Sequence, residues 1–233
     1  MFFDNMWDDI FEALLERKKS SGSGGEDIFS SLIDKTITEI TAKDLKGATK
    51  IGPYAFAYCE NLINVTIPNG VTSIGQGAFT GCGKLKTRVI PGTVTSIDGG
   101  VFERCYDVEN AYYDGDVASL CNLDLDSGYS APGYYTYNFY IKNSSGEYEI
   151  PEHIIIPNTV TEIKGNVFYG CKELKSVRIG NGITNIHSNA FRGVGSNLFD
   201  IYIDAPEGSI SGAPWSASKA TVHWNTPLPS EEV

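Results

Sequence analysis

Residues 71–91 read VTSIGQGAFTGCGKLKTRVIP, and their apolar positions return 23 residues earlier and later. Phe56, Phe79 and Phe102 keep that spacing, as do Ile51, Ile74 and Ile97, and Cys59, Cys82 and Cys105. The same interval separates Ile163 from Ile186 and Phe168 from Phe191. The shared template is V-x-x-I-x-x-x-x-F-x-x-C-x-x-L-x-x-V-x-I-P, readable again over 160–179. Units of this size cannot bury an apolar face alone, so a fixed period predicts a stack of coils, a solenoid, with repeats starting near Ala48, Val71, Val94, Val160 and Ile183.

Each template position has a physical task. Val and Ile open the coil, and Ala-Phe pairs (Ala55–Phe56, Ala78–Phe79, Ala190–Phe191) fill its centre. Leu62, Val65 and Ile67 predict a short strand whose alternate side chains point inward. Pro68, Pro91 and Pro157 end that strand, where a missing donor does least harm. Cys59, Cys82, Cys105 and Cys171 share one repeat position and read as a ladder of packed free thiols; Cys121 lies outside it. No Cys-x-x-Cys or Cys-His pair offers zinc a site, and no cofactor is expected. One residue breaks the template. Arg88 stands where Val65 and Val177 point inward, which predicts a bulged or shifted strand there.

The flanks differ from the repeats. Over residues 1–19, Phe3, Met6, Trp7, Ile10, Phe11, Leu14 and Leu15 keep a helical period, with acids early and Arg17, Lys18 and Lys19 last, predicting an amphipathic helix. Residues 20–25, SSGSGG, have the composition of a flexible linker. The apolar face of that helix caps the solenoid, docks on a partner or on copies of itself through Phe3, Trp7, Ile10, Phe11 and Leu14, or is foreign to the natural protein. The repeat domain is expected over 26–225, with an N-terminal cap at 26–47 and a C-terminal cap at 205–225 whose last strand holds Val222 and Trp224; 226–233 reads as a polar tail.

From Ile97 to Ile163 the interval is 66 residues, so about 43 are inserted, spanning 109–151. Eight of the thirteen tyrosines fall between Tyr112 and Tyr148. They serve either as the small core of an inserted module or as an exposed platform, since Tyr joins a large apolar ring to a polar tip at little entropic cost. Neighbours such as Tyr112–Tyr113 and Tyr134–Tyr135 cannot both point inward in a strand.

Net charge is −11, which repels phosphate backbones and anionic lipid, so nucleic-acid binding is not expected. No apolar run approaches the roughly 18 residues of a membrane span, and acids interrupt the first fifteen positions where a secretory signal would be apolar. His153, His187 and His223 belong to no nucleophilic motif, and no carboxylate pair stands out for glycoside hydrolysis, so no enzyme is expected. Asp124, Asp126 and Gly128, with Asp114 and Asp116 nearby, resemble half a calcium loop, but Tyr135 stands where the closing Glu belongs. Acids solvating turns explain them.

The line SIGQGAFTGCGKLKTRVIPGTVTSI (73–97) resembles the BspA-type leucine-rich repeat of gut-bacterial surface proteins and some protozoa, and the match extends over roughly 48–204. YYDGDVASLCNLDLDSGYSAPGYYTYNFYI (112–141) is similar to a module recurring in such proteins. The start SLIDKTITEITAKDLKGATKIGPYAFAYC and the ending SISGAPWSASKATVHW look like leucine-rich proteins of Firmicutes phages and prophages. The resemblance implies a right-handed, curved solenoid of parallel strands and a binding role, often adhesion, with no catalytic residues to carry over. The secretion signal and wall anchor usual in bacterial surface members are not seen, as in a virion component released by lysis.

These readings combine into a non-enzymatic recognition protein. A phage tail-associated subunit is expected, attached by its first helix to a tail protein and contacting a bacterial surface polymer or protein. Alternatives are a bacterial surface adhesin, a scaffold that oligomerises through the helix, or a cytoplasmic partner-binding module. Candidate contacts are Tyr112, Tyr113, Tyr129, Tyr134, Tyr135 and Tyr137 in the insert. A second surface is the outward sheet face, where Asn64, Thr66, Thr87, Ser176, Arg178 and Tyr202 are expected to form one polar stripe.

Overall fold

In a computed structural model that describes residues 36–198 and 200–227, the chain winds into stacked coils whose short strands pair in parallel. The expected helix at 1–19, the linker at 20–25, the first part of the N-terminal cap and residues 228–233 lie outside the described residues. One wall is a sheet in the order β1 (Glu39–Ile40), β3 (Asn64–Thr66), β5 (Thr87–Pro91), β7 (Asn110–Asp114), β9 (Asn138–Lys142) and β10 (Tyr148–Glu149). A second wall stacks β2 (Lys50–Ile51), β4 (Ser73–Ile74), β6 (Ser96–Ile97) and β8 (Asp124–Leu125). Turns on the remaining side are also bonded coil to coil: Phe56 N–H donates to Ala78 O at 2.8 Å and Phe79 N–H to Val101 O at 3.0 Å. The stack resumes in β11 (His153–Ile156), β13 (Ser176–Ile179), β15 (Asp200–Ile203) and β16 (Thr221–His223), with β12 (Glu162–Ile163) and β14 (Asn185–Ile186) on the second wall.

Register converts the sequence period into columns of like side chains. Phe56 stacks on Phe79 at 5.2 Å and Phe79 on Phe102 at 5.8 Å between ring centres, and Phe168 on Phe191 at 5.3 Å. The thiols of Cys82 and Cys105 each donate to the carbonyl of the Phe in the coil before, Phe56 and Phe79, at 3.2 Å. All five cysteines are free and buried, and burial raises the Cys105 thiol to about 11 and the Cys171 thiol to about 12. At the far end Trp215 is fully buried and Phe191 N–H donates to its carbonyl. The last strand ends at His223, so Trp224 lies just beyond it, its ring edge-on to Trp215 at 6.2 Å.

The segment that breaks the 23-residue interval is built into the stack and shares its core. Asn64, Thr87, Asn110 and Asn138 are successive Cα partners, so the added turn is one coil of 28 residues in place of 23. Tyr113, Phe139 and Ile141 point inward and join the main apolar cluster, so the tyrosines need no separate core. The coil also holds a short helix, α1 (Val117–Cys121), whose first turn is capped by Asp116 accepting from Ser119 N–H. A hairpin then turns back through Asn143–Gly146, and β10 pairs antiparallel to β9.

Arg88 neither bulges nor shifts its strand. Pairing runs unbroken from Val65 through Arg88 to Ala111, and the side chain enters the core, fully buried. Its Nε and Nη2 donate to Pro132 O at 3.0 and 2.7 Å, and Nη2 donates also to Tyr134 O. The guanidinium carbon lies 4.0 Å over the Phe102 ring, and Ala111 in the next strand leaves room for it. Burial pulls its pKa down to about 10, yet carbonyl bonds and a ring face keep it tolerable in the core. The longer coil is thus tied to the regular one before it.

Two outcomes are expected. Arg88→Val restores the template residue but strands two buried carbonyls and leaves a void, so it lowers stability by about 3 kcal/mol in denaturant unfolding; an unchanged midpoint would contradict the anchoring role. Near neutral pH the native protein shows no thiol reactive toward an aromatic disulfide reagent, and all five react once it is unfolded.

Candidate functional site

The extra coil displays its tyrosines on two sides. On the turn side, Tyr134 is nearly buried at 6% exposure and sits at the centre of a ring cluster. Tyr129 meets it edge-on at 5.1 Å, Tyr135 lies at 4.1 Å and Tyr169 of the next coil at 5.6 Å, while Tyr106 meets Tyr135 edge-on at 5.4 Å. Around that centre Tyr106, Tyr129 and Tyr135 are 62%, 56% and 46% exposed. Burial, with a hydrogen bond to Tyr135, pushes the Tyr134 hydroxyl well above the usual tyrosine range, so it stays protonated.

The loop beneath these rings is held from three directions. Arg88 binds its carbonyls from below, Ser130 Oγ donates to Asp98 O at 2.6 Å, and Lys172 Nζ donates to Thr136 O at 2.5 Å. Gly133 and Gly170 touch backbone to backbone, and a Cβ on either would clash with the other coil. The rings therefore stand on a fixed base.

On the strand side, Tyr112 and Tyr140 occupy the same outward row as Thr66 and Val89 and stack at 4.7 Å. Tyr148 closes on Tyr112 edge-on at 5.1 Å, its hydroxyl donating to Asp114 Oδ1 at 2.7 Å, and Lys142 pairs with the same carboxylate at 2.5 Å. Tyr113 does not belong to either surface. It is fully buried, and burial raises its hydroxyl to about 12. Tyr137 is exposed but stands apart from both ring clusters. Tyr106, Tyr140, Tyr148 and Tyr169 were not among the expected contacts: two lie in ordinary repeat coils and two on strands of the added one.

The expected polar stripe is two stripes. Asn64, Thr66 and Thr87 face outward on the first sheet, and Ser176, Arg178 and Tyr202 on the second, with β10 ending one sheet before β11 begins the next. On the second sheet the Arg178 guanidinium lies 4.5 Å over Tyr202, which stacks on His223 at 4.6 Å. His223 Nε2 meets Asp200 Oδ1 at 2.7 Å, and His153 Nδ1 meets Ser176 Oγ at 2.8 Å. These two histidines sit on opposite edge strands of that sheet, and His187 Nε2 meets Glu162 Oε1 at 3.2 Å on the other wall; among the described residues none of the three is bonded to both a serine and an acid. Nor do the described residues contain a group of three histidines, cysteines or acids able to hold a metal, or a helix long and apolar enough to cross a membrane.

The coil-on-coil geometry has a named counterpart. A BspA type leucine rich repeat region matches the chain in six copies, over residues 24–123 and 140–217. The chain belongs to this leucine-rich repeat family. Among solved structures, a leucine-rich repeat protein of T. pallidum is 20% identical, with 82% of this chain and 70% of that one covered and a TM-score of 0.33. A leucine-rich repeat protein of Bacteroides ovatus is 24% identical over 82% of this chain and 47% of its own, with a TM-score of 0.34. The pneumococcal vaccine antigen PcpA is 14% identical over 82% and 44%, with a TM-score of 0.28. No curated protein matches the chain. Leucine-rich repeat stacks serve as binding scaffolds, their coils giving a long rigid surface.

If the turn-side rings are display and Tyr134 is their foundation, substitutions separate the two. Tyr134→Ala should cost about 3 kcal/mol of unfolding free energy, whereas Tyr106→Ala and Tyr129→Ala should each cost less than about 1 kcal/mol. Equal losses at all three positions in denaturant titrations would make the cluster a core.

Proposed function

We propose that this chain is a non-enzymatic recognition protein that adheres to a bacterial surface polymer or protein through the tyrosines of its extra coil. The observation that carries the reading is the exposure of Tyr129 and Tyr135 on a loop immobilised by Arg88, Ser130 and Lys172, with the exposed Tyr106 of the coil before packed against Tyr135. A folded chain gains little stability from rings held in water, and three adjoining ones form the kind of patch that marks an interaction site. Tyrosine suits that task, because two torsions hold a large ring and the hydroxyl is left to bond sugar or peptide groups. A fixed base lowers the ordering cost of binding.

The strand-side group of Tyr112, Tyr140 and Tyr148 extends the same reading to the sheet face, beside Thr66. The setting that fits is the exterior of a bacterium or of a virion. Attachment to a larger assembly such as a phage tail would run through Phe3, Trp7, Ile10, Phe11 and Leu14, which lie outside the described residues and rest on the sequence pattern alone.

The test is sedimentation of the labelled full chain with Firmicutes cells and with their isolated envelopes. The expected result is saturable binding that falls roughly tenfold or more in the Tyr106→Ala/Tyr129→Ala/Tyr135→Ala protein while its unfolding curve is kept. Binding unchanged by the triple substitution would remove the tyrosines from recognition.

A further inference from the structure

Asn166 carries a side-chain amide that the fold does not use. The residue is 5% exposed, its Oδ1 is shut off from solvent, and neither atom of the amide bonds to another described residue. A buried polar group without a partner is costly, and folded proteins leave few of them. Its backbone accounts for a residue at ease with φ of 63°, but not for an amide. Gly77 and Gly100, which like Asn166 stand two residues before the stacked Phe of their coils, make the same turn at φ of 58° and 68°.

The amide lies in the floor of the turn-side tyrosines. A Cβ on Gly128 would stand 3.4 Å from Oδ1 and 3.3 Å from the Tyr169 ring, so both border the bare face of the glycine that precedes Tyr129. The same ring lies against Gly193, where a Cβ would come within 2.5 Å of it. Tyr169 is half-buried, and neither glycine has a side chain to pin its ring. Turning that ring aside opens Oδ1 to a group arriving beside Tyr129.

The surroundings favour a sugar over a peptide. The turn N–H groups at this place are spent within the stack: Asn166 donates to Asn189 O at 3.1 Å, Tyr169 to Asn166 O at 3.0 Å and Gly170 to Gly193 O at 3.3 Å. An extended peptide therefore finds no backbone edge to pair with here. A pyranose ring needs none. Its C–H face lies against an aromatic ring, and its hydroxyls both donate and accept, as an amide does. A hydroxyl on a rigid ring also reaches Oδ1 without a side chain having to be ordered first.

We infer that the surface polymer met by the tyrosine patch is a polysaccharide, one hydroxyl of which donates to Asn166 Oδ1 while its ring lies against Tyr129. This rests on the proposed reading that the turn-side tyrosines contact a bacterial surface. The probes are Firmicutes envelopes digested with proteinase K and the soluble polysaccharide released from them by mild acid. The full chain should still sediment with digested envelopes, and the released polysaccharide should compete. Asn166→Gly keeps the turn, and Gly128→Ala, at a φ open to alanine, places a methyl across the approach to Oδ1. Each should weaken binding roughly tenfold with the unfolding curve kept. Sedimentation lost on digestion, or competed only by the released peptides, would overturn the inference and leave the tyrosine reading standing. So would binding that both substitutions leave unchanged while the triple tyrosine substitution lowers it. A wild-type chain that ignores undigested envelopes would overturn both.

Discussion

Every coil of this protein must lie in register on the one before it. The strands are two to five residues long, too short to hold as isolated pairs, and their bonds run almost wholly to neighbouring coils. Register puts Phe on Phe and Cys beneath the carbonyl of the preceding coil's Phe, so backbone pairing and side-chain packing enforce the same spacing. A shift by one residue would turn the inward set to water along the whole strand. The 23-residue period is the consequence.

A stack under that constraint takes up extra residues only where they do not disturb the columns. The longer coil keeps Ala111 and Phe139 in the column of Val65 and places its surplus in the turn and the hairpin. The turn holds the exposed Tyr129 and Tyr135, and the hairpin ends one sheet before the next begins. Both surface features follow from one departure from the period. Arg88 links that departure to the regular stack: a guanidinium reaches across the core with several donors, which the template valine could not do. The tyrosine surface of the 28-residue coil is set by a residue on the strand before it.

The repeating columns were legible because identical burial in successive coils demands identical residue types. Phe, Ile and Cys at a constant interval leave few other architectures. The added coil was harder to recognise as a coil, since 28 residues do not align with 23 and Tyr113 takes an inward place that template residues fill with Ile. Its one available signal was the alternation in NFYIK at 138–142, which has the period of a half-buried strand. Arg88 could be flagged as an exception but not explained, because its partners are backbone carbonyls that no side-chain pattern records. Tyr106 and Tyr169 gave no sign of their role for a similar reason. Each follows the ordinary repeat, and only the loop between them makes them part of a patch. The break in the outward stripe depends on an antiparallel turn, whose residues Asn143–Gly146 read as a turn without showing which sheet it ends.

The extra coil is a structural member of the stack and holds its tyrosines in place for that reason. Native-state amide exchange across the full chain separates such a member from an appended module. The slowest amides of β7 and β9 should open only with those of β5 and β13, at the free energy of global unfolding. Separate, much easier opening of residues 109–151 would make the segment an appended module and contradict the account.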